Sequence, residues 1–471
     1  MYSSRQSSGA IDQYVEPNPP GRVNPFLLTM VLFFVLSGHA AAAAGSLATA
    51  LSQAYLDNPT LAAERVRQRA TDEEEPQARS GWRPTIEASA SAGHKWIKEA
   101  SRKSTQSDPG VARILLTQPV FRGLRTINSI KRAQANIAAG RQDLLAVEQE
   151  VLLAAATAYM DVIRDREISR LRRGQVNILV QELRAARGRM KLGAGTKTDV
   201  AQAKSRLGAA IASEESAKAD LEASVANYVR VIGQTPKFLK RPRVSPRMPK
   251  SLKAALSRAE RLNPELLASL YNQTAADLSV EVTKGELLPK ISLQAEYEVQ
   301  NDPSVTLSSS EQAVVRGVFS VPLYQGGVVY SQIREAKLLA NRRRLLTMAA
   351  RRKVRNQITR QWSRFREAGQ KIIANKIQVG SAIVALQGVR QEAALGNRTT
   401  LDILDAEREL LFAREAFEMS RRDQVVRGYE VIAAMGAMTA HNLRLSVAAY
   451  DPAENYQNIR HRVIGTDIGS D

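Results

Sequence analysis

Threonine and aspartate recur at the same spacing in two corresponding segments of this chain. The segment LGAGTKTDVAQA in the first half has the counterpart LGNRTTLDILDA in the second. Each contains a Thr-x-x-Asp pattern, Thr196 with Asp199 and Thr399 with Asp402, which is typical of a capping box at the start of a helix. Acidic groups in a first turn are also favoured by the helix dipole. Helix capping is therefore one role expected of both aspartates.

Asp405 is a further carboxylate in the second of these segments. The first half has Gln202 at the corresponding position, so the local fold does not demand a carboxylate there. A residue three positions after Asp402 lies on the same helix face. Carboxylates gathered at a narrow passage create a field that attracts cations. Asp402 and Asp405 are therefore candidates for a cation-attracting site.

Enzymatic and metal chemistry has little support in this sequence. The chain of 471 residues contains no cysteine, which excludes disulfides, thiolate zinc sites and a cysteine nucleophile. Its four histidines are scattered without ligand spacing, and it has no H-E-x-x-H motif, P-loop or nucleophile elbow. We therefore expect no catalytic residue, no metal, no cofactor and no enzyme activity.

The formal net charge of +20 raises the question of nucleic-acid binding first. The densest basic runs, Arg342–Arg344 and Arg351–Lys353, lie inside helical periodicity and have no interleaved aromatic residues. They are more typical of a solvated helix face that contacts anionic lipid or polyanions on the peptidoglycan side. We expect no nucleic-acid partner.

The elements that must position these residues occur twice in the chain. SLATALSQAYLDNPTLAAERVRQ, from residue 46, returns as SLKAALSRAERLNPELLASLYNQ, from residue 251, and further matches follow at a nearly constant offset. We assign a first repeat to residues 45–235, a proline-rich linker to 236–250 and a second repeat to 251–437. Each repeat is predicted to run helix, strand, strand, long helix, helix. The tail, residues 438–471, has no clear periodicity and is expected to be partly disordered.

Apolar and polar residues alternate in two segments of each repeat. The predicted strands cover about residues 83–97 and 111–122 in the first repeat and about 289–300 and 312–324 in the second. Alternation over this length is typical of membrane β-strands. In lipid, strands cross only as a closed barrel, and bacterial barrels start at about eight strands. Because one chain offers four, a dimer, trimer or tetramer must complete the barrel.

A long helix is predicted after each pair of strands. In the second repeat, apolar residues recur every seven positions at Ile358, Phe365, Ile372, Val379 and Leu386. A proline-free run of this length implies a helix of roughly 100 Å that packs as in a coiled coil. Such a helix does not belong to a compact domain.

Residues 1–44 have the features of a secretory signal peptide. Arg5 and Arg22 precede an apolar run, residues 26–36, and small residues follow it. The run is too short to span a bilayer comfortably as a helix. An uncleaved anchor is the alternative.

These features together resemble the TolC family of outer-membrane efflux and type I secretion channel proteins. The resemblance covers about residues 46–437 and is carried by the duplication, the Asn-Pro pairs, the Pro-x-x-x-Gly turns and the two Thr-x-x-Asp loops. It implies a mainly α fold with membrane β. Three copies would form a twelve-strand β-barrel in the outer membrane and a long α-helical barrel in the periplasm. Such a homotrimer is a passive exit duct for multidrug efflux or type I secretion.

The resemblance also implies roles for residues at the periplasmic entrance. Asp402 and Asp405 match an acidic ring in the lumen. Arg398 matches an arginine that makes gating contacts to the corresponding loop of the first repeat, and Thr198 and Asp199 match its partners there.

One latch of the family is missing, because Ala393 stands where the family has a tyrosine. The helix tips are the implied docking site for a periplasmic adaptor, or membrane fusion protein. Their residues are Gly193, Gly195, Thr196, Gly396 and Thr399. An inner-membrane RND or ABC transporter would supply energy, and the barrel would contact outer-membrane lipid.

A periplasmic coiled-coil adaptor or scaffold without a membrane barrel is the alternative function. It shares the signal peptide and the long helices. It differs because it needs no alternating strands long enough to span a membrane.

Overall fold

The computed structural model describes residues 45–98, 100, 105–242, 248–304 and 307–468. The predicted signal peptide, residues 1–44, lies outside the described residues, as does part of the predicted linker, residues 243–247.

In both repeats, short helices come first, strands follow, and a long helix and a further helix end the repeat. In chain order the helices are α1 (Leu47–Asp57), α2 (Pro59–Asp72), α3 (Glu74–Arg79), α4 (Arg125–Lys191), α5 (Lys197–Ile232), α6 (Leu252–Leu262), α7 (Pro264–Lys284), α8 (Val328–Ala394), α9 (Thr400–Ala434), α10 (Ala440–Leu443) and α11 (Pro452–Ile459). The strands are β1 (Thr85–Ala92), β2 (Lys95–Ile97), β3 (Thr105–Ser107), β4 (Gly110–Arg122), β5 (Lys290–Ser304) and β6 (Leu307–Ser320).

The Asn-Pro pairs join the first helices of each repeat to its last helix. The side chain of Asn58 accepts hydrogen bonds from the first turn of α2 and donates to the carbonyl oxygen of Val231 at 2.9 Å. Asn263 caps α7 in the same way and donates to the carbonyl oxygen of Ala434 at 3.0 Å. Proline at the first helical position fits because its missing N–H would be unpaired there anyway. One buried side chain thus caps one helix and holds the end of another.

Four strands form one antiparallel sheet in the order β1-β4-β5-β6 within the described residues. The register puts Ile86, Leu116, Ala295 and Val315 in one row, so these apolar side chains share one face. That face is open in the single chain, where Ile86 is 70% and Val315 is 73% exposed. The opposite face is mostly polar, with Glu87 and Glu296 in one row. Within the described residues, the sheet therefore has one apolar face, one mostly polar face and two unpaired edges.

The strand limits differ from the predicted ones at several ends. β5 continues to Ser304, beyond the predicted 300, and β6 begins at Leu307, before the predicted 312. The chain leaves this sheet after Ala92, and the short strands β2 and β3 pair with each other beyond it. The last strand was predicted to reach residue 324, but β6 ends at Ser320. Pro322 follows, and because it has no N–H it donates no hydrogen bond to a strand ladder.

Each long helix begins at a glycine turn and contains 67 residues, about 100 Å at 1.5 Å per residue. Gly123 has φ +62°, and a Cβ there would lie 2.3 Å from the carbonyl oxygen of Gly285. Gly326 and Gly327 make the corresponding turn before α8, with φ +60° and +80°. Only glycine adopts these angles without strain.

The main apolar core gathers buried residues from both repeats around the middle of α4. Tyr159 is fully buried there, and its hydroxyl lies 2.6 Å from the carbonyl oxygen of Gly45 and 2.5 Å from that of Lys240. Burial raises the pKa of Tyr159 to about 12. This one side chain ties α4 to the segment before α1 and to the chain between the repeats.

The C-terminal tail differs from the expectation of partial disorder over residues 438–468. Ala440 donates its backbone N–H to the Glu148 carboxylate of α4 at 2.6 Å. In α11, Asn455 donates to Asp72 at 2.9 Å and the Tyr456 hydroxyl donates to Glu75 at 2.5 Å. The tail is ordered because its polar groups satisfy carboxylates that are buried beneath it.

Arg141 of α4 completes this contact, since its guanidinium lies 5.0 Å from the Tyr456 ring centroid. Burial raises the pKa of Asp72 despite its hydrogen bonds from Asn455 and Gln68. Burial also acts to raise the pKa of Glu75, but hydrogen bonds from Tyr456 and Arg79 outweigh it and hold that pKa below its ordinary value. Glu75 is therefore stabilised as a carboxylate by the tail.

Tyr456→Phe is expected to lower the thermal unfolding midpoint at neutral pH. The buried Glu75 carboxylate loses one donor, a loss of about 1–3 kcal/mol in unfolding free energy. Because the pKa of Glu75 is lowered, this stabilisation is present above the ordinary carboxyl pKa and is lost as pH falls through the lowered one. The difference from wild type should thus shrink in acid. Circular dichroism measures the midpoints.

The exposed Tyr330→Phe on α8 is the matched control and should leave the midpoint unchanged. Equal midpoints for wild type and Tyr456→Phe at neutral pH would contradict the role assigned to the tail.

Candidate functional site

Two helix hairpins form the site, one from α4 and α5 and one from α8 and α9. Their turns contain Gly193 and Gly396, with φ +76° and +81° and open space around both. The next N–H in each turn closes the preceding helix, from Ala194 to the carbonyl oxygen of Arg189 and from Asn397 to that of Glu392, both at 2.9 Å. These bonds form the Schellman type of helix end, which requires a left-handed residue such as glycine.

A capping box begins each returning helix, which confirms the interpretation of the Thr-x-x-Asp patterns. Thr196 accepts from the Asp199 N–H at 3.1 Å, and the Asp199 carboxylate accepts from the Thr196 N–H at 2.9 Å. The corresponding distances between Thr399 and Asp402 are 3.3 and 2.8 Å. Each box satisfies two of the N–H groups that a helix start leaves unpaired.

The boxes also set the charge of both aspartates. The hydrogen bond from the Thr196 backbone N–H holds the pKa of Asp199 below its ordinary value, and the bond from Thr399 does the same for Asp402. Both carboxylates lie at the surface and are ionised at neutral pH. Their contribution to capping is present above the ordinary carboxyl pKa and is lost as pH falls through the lowered one.

Asp405 has a different partner from Asp402. Its carboxylate accepts from the Arg206 guanidinium at 2.8 Å, which joins α9 to α5. Arg408 lies 3.9 Å away on its own helix. Arg189 also links the hairpins by donating to the Thr400 hydroxyl at 3.1 Å. The two hairpins are therefore held together at their tips by one ion pair and one hydrogen bond.

Within one chain, Arg398 does not contact the residues predicted as its gating partners. Its guanidinium donates to Glu392 of the same hairpin at 2.7 Å, and both side chains are about half exposed. Thr198 is exposed, and the Asp199 carboxylate is engaged in its capping box. The contacts expected of Arg398, Thr198 and Asp199 remain a prediction for a neighbouring copy.

Gly195 lies on the inner side of its turn, where a Cβ would approach the Arg189 Cβ to 3.1 Å. Gly193, Thr196, Gly396 and Thr399, which complete the predicted docking tips, lie at or beside the exposed turns. The tips thus present a small surface with capped helix ends.

Arg206 is a site residue that the sequence analysis missed. A signal exists in the comparison of the two repeats, because Asp405 stands opposite Gln202 and Arg206 stands opposite Glu409. The two copies therefore carry opposite charges at one of these positions, and only the second copy is charged at the other. Such divergence indicates a contact between the repeats, although it does not identify the partners.

A buried carboxylate lies behind the tips. Glu407 of α9 is 3% exposed and pairs with Arg390 of α8. Burial raises the pKa of Glu407, and the Arg390 charge opposes that rise. The pair fastens the two helices of one hairpin to each other. Among the described residues, no group of three or more His, Asp or Glu side chains is arranged to hold a metal ion.

The sequence profile described as "Outer membrane efflux protein" matches residues 50–234 and 255–437 of this chain. The chain is similar to the outer membrane efflux protein BepC of Brucella suis, at 34% identity over 432 residues, covering 92% of this chain and 94% of that protein. It is also similar to the outer membrane protein TolC of Escherichia coli, at 25% identity over 442 residues, covering 88% and 87%.

Among solved structures, the fold is similar to the CmeC outer membrane channel of Campylobacter jejuni. The TM-score is 0.75 at 15% sequence identity, and the match covers 88% of this chain and 89% of that chain. At this identity the similarity shows the fold. The mainly α fold with a membrane sheet is thereby confirmed.

Asp402→Ala is expected to speed amide hydrogen exchange in the first turn of α9 by about threefold or more. The substitution removes the acceptor of the Thr399 N–H and so opens the capping box. Hydrogen-exchange mass spectrometry on peptides covering residues 396–404 measures the effect. Asp405→Asn is the control, since Asp405 takes no part in the box. Unchanged exchange in Asp402→Ala would show that the box does not hold this helix start.

Proposed function

This chain belongs to the outer membrane efflux protein family, and from that premise we propose that three copies form one exit duct across the outer membrane and periplasm. The family consists of channel proteins and not of enzymes. The chain is accordingly an outer-membrane exit channel. The finer statements, about copy number, entrance and partners, rest on the geometry of the sheet and the helix tips.

The open four-stranded sheet carries the proposal. Its outer strands β1 and β6 each have one neighbour within the described residues, so each has a row of unpaired backbone N–H and C=O groups. In lipid each unpaired group is costly, and only a closed ring of strands removes both edges. A single copy has too few strands to close around a lumen.

The strand directions permit closure between copies. Neighbouring strands are antiparallel throughout the sheet, and because their number is even, β1 and β6 run in opposite directions. The β6 edge of one copy is then antiparallel to the β1 edge of the next. Three copies supply about twelve strands, within the range of bacterial barrels.

The two faces of the sheet fit lipid and lumen. The row from Ile86 to Val315 is apolar, and the side chains at its two ends are exposed, as suits a lipid-facing surface. On the opposite face, Glu296 pairs with Arg113 and with Arg316, both at 3.0 Å. Charged residues of both signs on this face suit a water-filled interior.

The long helix α8 has exposed apolar side chains that fit an interface between copies. On α8, the apolar side chains of Ile373, Ile377 and Val384 are 56%, 65% and 67% exposed in the single chain. They lie on one side of the helix, in a stretch that is apolar enough by composition to cross a membrane. Neighbouring copies would bury this side, because exposed apolar patches of this kind mark interfaces.

At the entrance, three copies would bring Asp402 and Asp405 together around the axis. Arg398 would reach Thr198 and Asp199 of the adjacent copy after leaving Glu392. Opening of the entrance would then break these contacts between copies. Ala393, which stands where the family has a tyrosine, has no hydroxyl with which to make a further contact.

A duct of this kind has no energy source of its own. We infer that a periplasmic adaptor docks at the exposed tips around Gly193 and Gly396, and that an inner-membrane RND or ABC transporter drives export. One relative is named as an efflux protein and another as an alkaline protease secretion protein, so they support both efflux and type I secretion as routes of export.

Fractionation of the envelope tests the proposal. We expect the protein in the outer-membrane fraction as a detergent-stable complex whose mass, measured by native mass spectrometry, is three times that of one chain. A water-soluble periplasmic monomer would refute it and favour the adaptor alternative. A dimer or tetramer in the outer membrane would refute the copy number alone.

The acidic ring is tested by single-channel recording in planar bilayers. Asp402→Asn with Asp405→Asn is expected to relieve block of the current by Mg²⁺ or La³⁺ added on the periplasmic side, because the cation-attracting field is lost. Asp220→Asn, on α5 away from the tips, is the control. Block of the current that persists in the double variant would reject the ring.

Arg398→Ser should raise the single-channel conductance by loosening the entrance.

A further inference from the structure

Positive charge is concentrated in one part of the molecule, the first 39 residues of α8. Residues 328–366 contain twelve arginines and lysines and a single acidic residue, Glu335, for a net charge of +11. The equivalent residues 125–163 of α4 contain four basic and four acidic residues, for a net charge of zero. More than half of the +20 of the whole chain therefore lies on this basic segment of α8.

The two repeats differ in charge at equivalent positions, so the helical scaffold does not require these arginines. Three basic residues of the basic segment stand opposite acidic residues of the first repeat, namely Arg351 opposite Glu148, Lys353 opposite Glu150 and Arg364 opposite Asp161. Both helices nevertheless contain 67 residues and begin at similar glycine turns. The charge is a property of this segment and is not required by the fold.

The basic side chains of this segment are exposed and mostly unpaired. All twelve belong to exposed residues. Within the described part of the chain, only Lys353 and Arg355 have an acidic partner, Glu265 at 2.5 Å and Glu260 at 4.0 Å. Several pairs, such as Arg351 with Arg355 and Arg360 with Arg364, are like charges at a spacing of i and i+4, which destabilises a helix. An external anion would relieve this repulsion.

The distance of the basic segment from the sheet excludes membrane lipid as its main anionic partner. Arg342 follows the start of α8 by about 21 Å and Arg366 by about 57 Å, at 1.5 Å per residue. Charge interactions are screened over about 8 Å at physiological salt. Lipid phosphates near the sheet are therefore out of reach of nearly all these arginines.

Assembly into a ring of helices does not hide them. Consecutive residues are rotated by about 100° around a helix, so each basic triplet, Arg342–Arg344 and Arg351–Lys353, spans about 200° of the circumference. A neighbouring copy that covers one side of the helix therefore leaves part of each triplet exposed.

We propose that the basic segment of α8 binds the carboxylates of peptidoglycan. This polymer lies beneath the outer membrane and is anionic through its peptide carboxylates. It therefore offers many negative charges to a rigid helix that carries many guanidinium groups. Several weak contacts on one polymer add up to firm binding. The channel would thereby be anchored in the cell wall while its tips remain free for other proteins.

Sedimentation with isolated sacculi tests the inference, using the purified full-length protein in detergent. Wild type should co-sediment and should be released at about 0.5 M NaCl, where the screening length falls to about 4 Å. The quintuple variant Arg342→Gln, Arg343→Gln, Arg344→Gln, Arg351→Gln, Arg352→Gln should lose retention by about tenfold. Sacculi whose carboxylates have been amidated should not retain wild type.

The control removes five exposed basic residues elsewhere, with the substitutions Arg184→Gln, Arg187→Gln, Lys191→Gln, Lys204→Gln and Lys376→Gln. It has the same net charge as the quintuple variant and should be retained like wild type. Equal loss of retention in both variants would show that net charge alone explains the binding, and this would overturn the proposal. Retention of the quintuple variant, or stronger binding of wild type to phosphatidylglycerol vesicles than to sacculi, would also overturn it.

Channel conductance separates this inference from the proposed function. The quintuple variant should conduct like wild type in planar bilayers and keep its helical circular dichroism spectrum. Loss of conductance together with loss of sacculus binding would indicate a damaged channel and contradict a separate binding role for the basic segment.

Discussion

Backbone hydrogen bonding in lipid is the constraint on which the rest of this structure depends. The sheet of β1, β4, β5 and β6 has an apolar face suited to lipid, yet its outer strands have unpaired edges in the part of the chain that the structure describes. In the proposed assembly, other copies satisfy those edges. The same assembly would bury the apolar side chains of α8 that are exposed in the single chain.

The duplication helps to meet this constraint, because each repeat supplies two strands of the sheet and two long helices. Asn58 and Asn263 show how closely the copies agree, because each caps one helix and holds the end of another. The repeats have diverged where they face different surroundings. Arg206 and Asp405 are complementary across the tips, and ten of the twelve basic residues at the start of α8 have no basic equivalent on α4. Function lies mainly in these differences.

The tail extends the fold beyond the part matched by the family profile, which ends at residue 437. Its α11 covers Asp72 and Glu75, two carboxylates with no exposed surface. Together with Tyr159, which holds Gly45 and Lys240, it ties the connecting segments to the middle of α4. The region between the sheet and the helix tips is thus fastened by polar contacts as well as by apolar packing.

The duplication, the class of fold, the family and both capping boxes could be predicted from the residues alone, because these depend on residues close together in the chain or on a repeated pattern. The folded arrangement was needed to show that Arg206 binds Asp405, that Arg398 binds Glu392, and that the tail forms α11. These contacts join residues whose spacing carries no local signal: Tyr456 meets Glu75 across 381 positions. Periodicity predicts which face of an element is buried, whereas the partner on that face is set by how the elements pack.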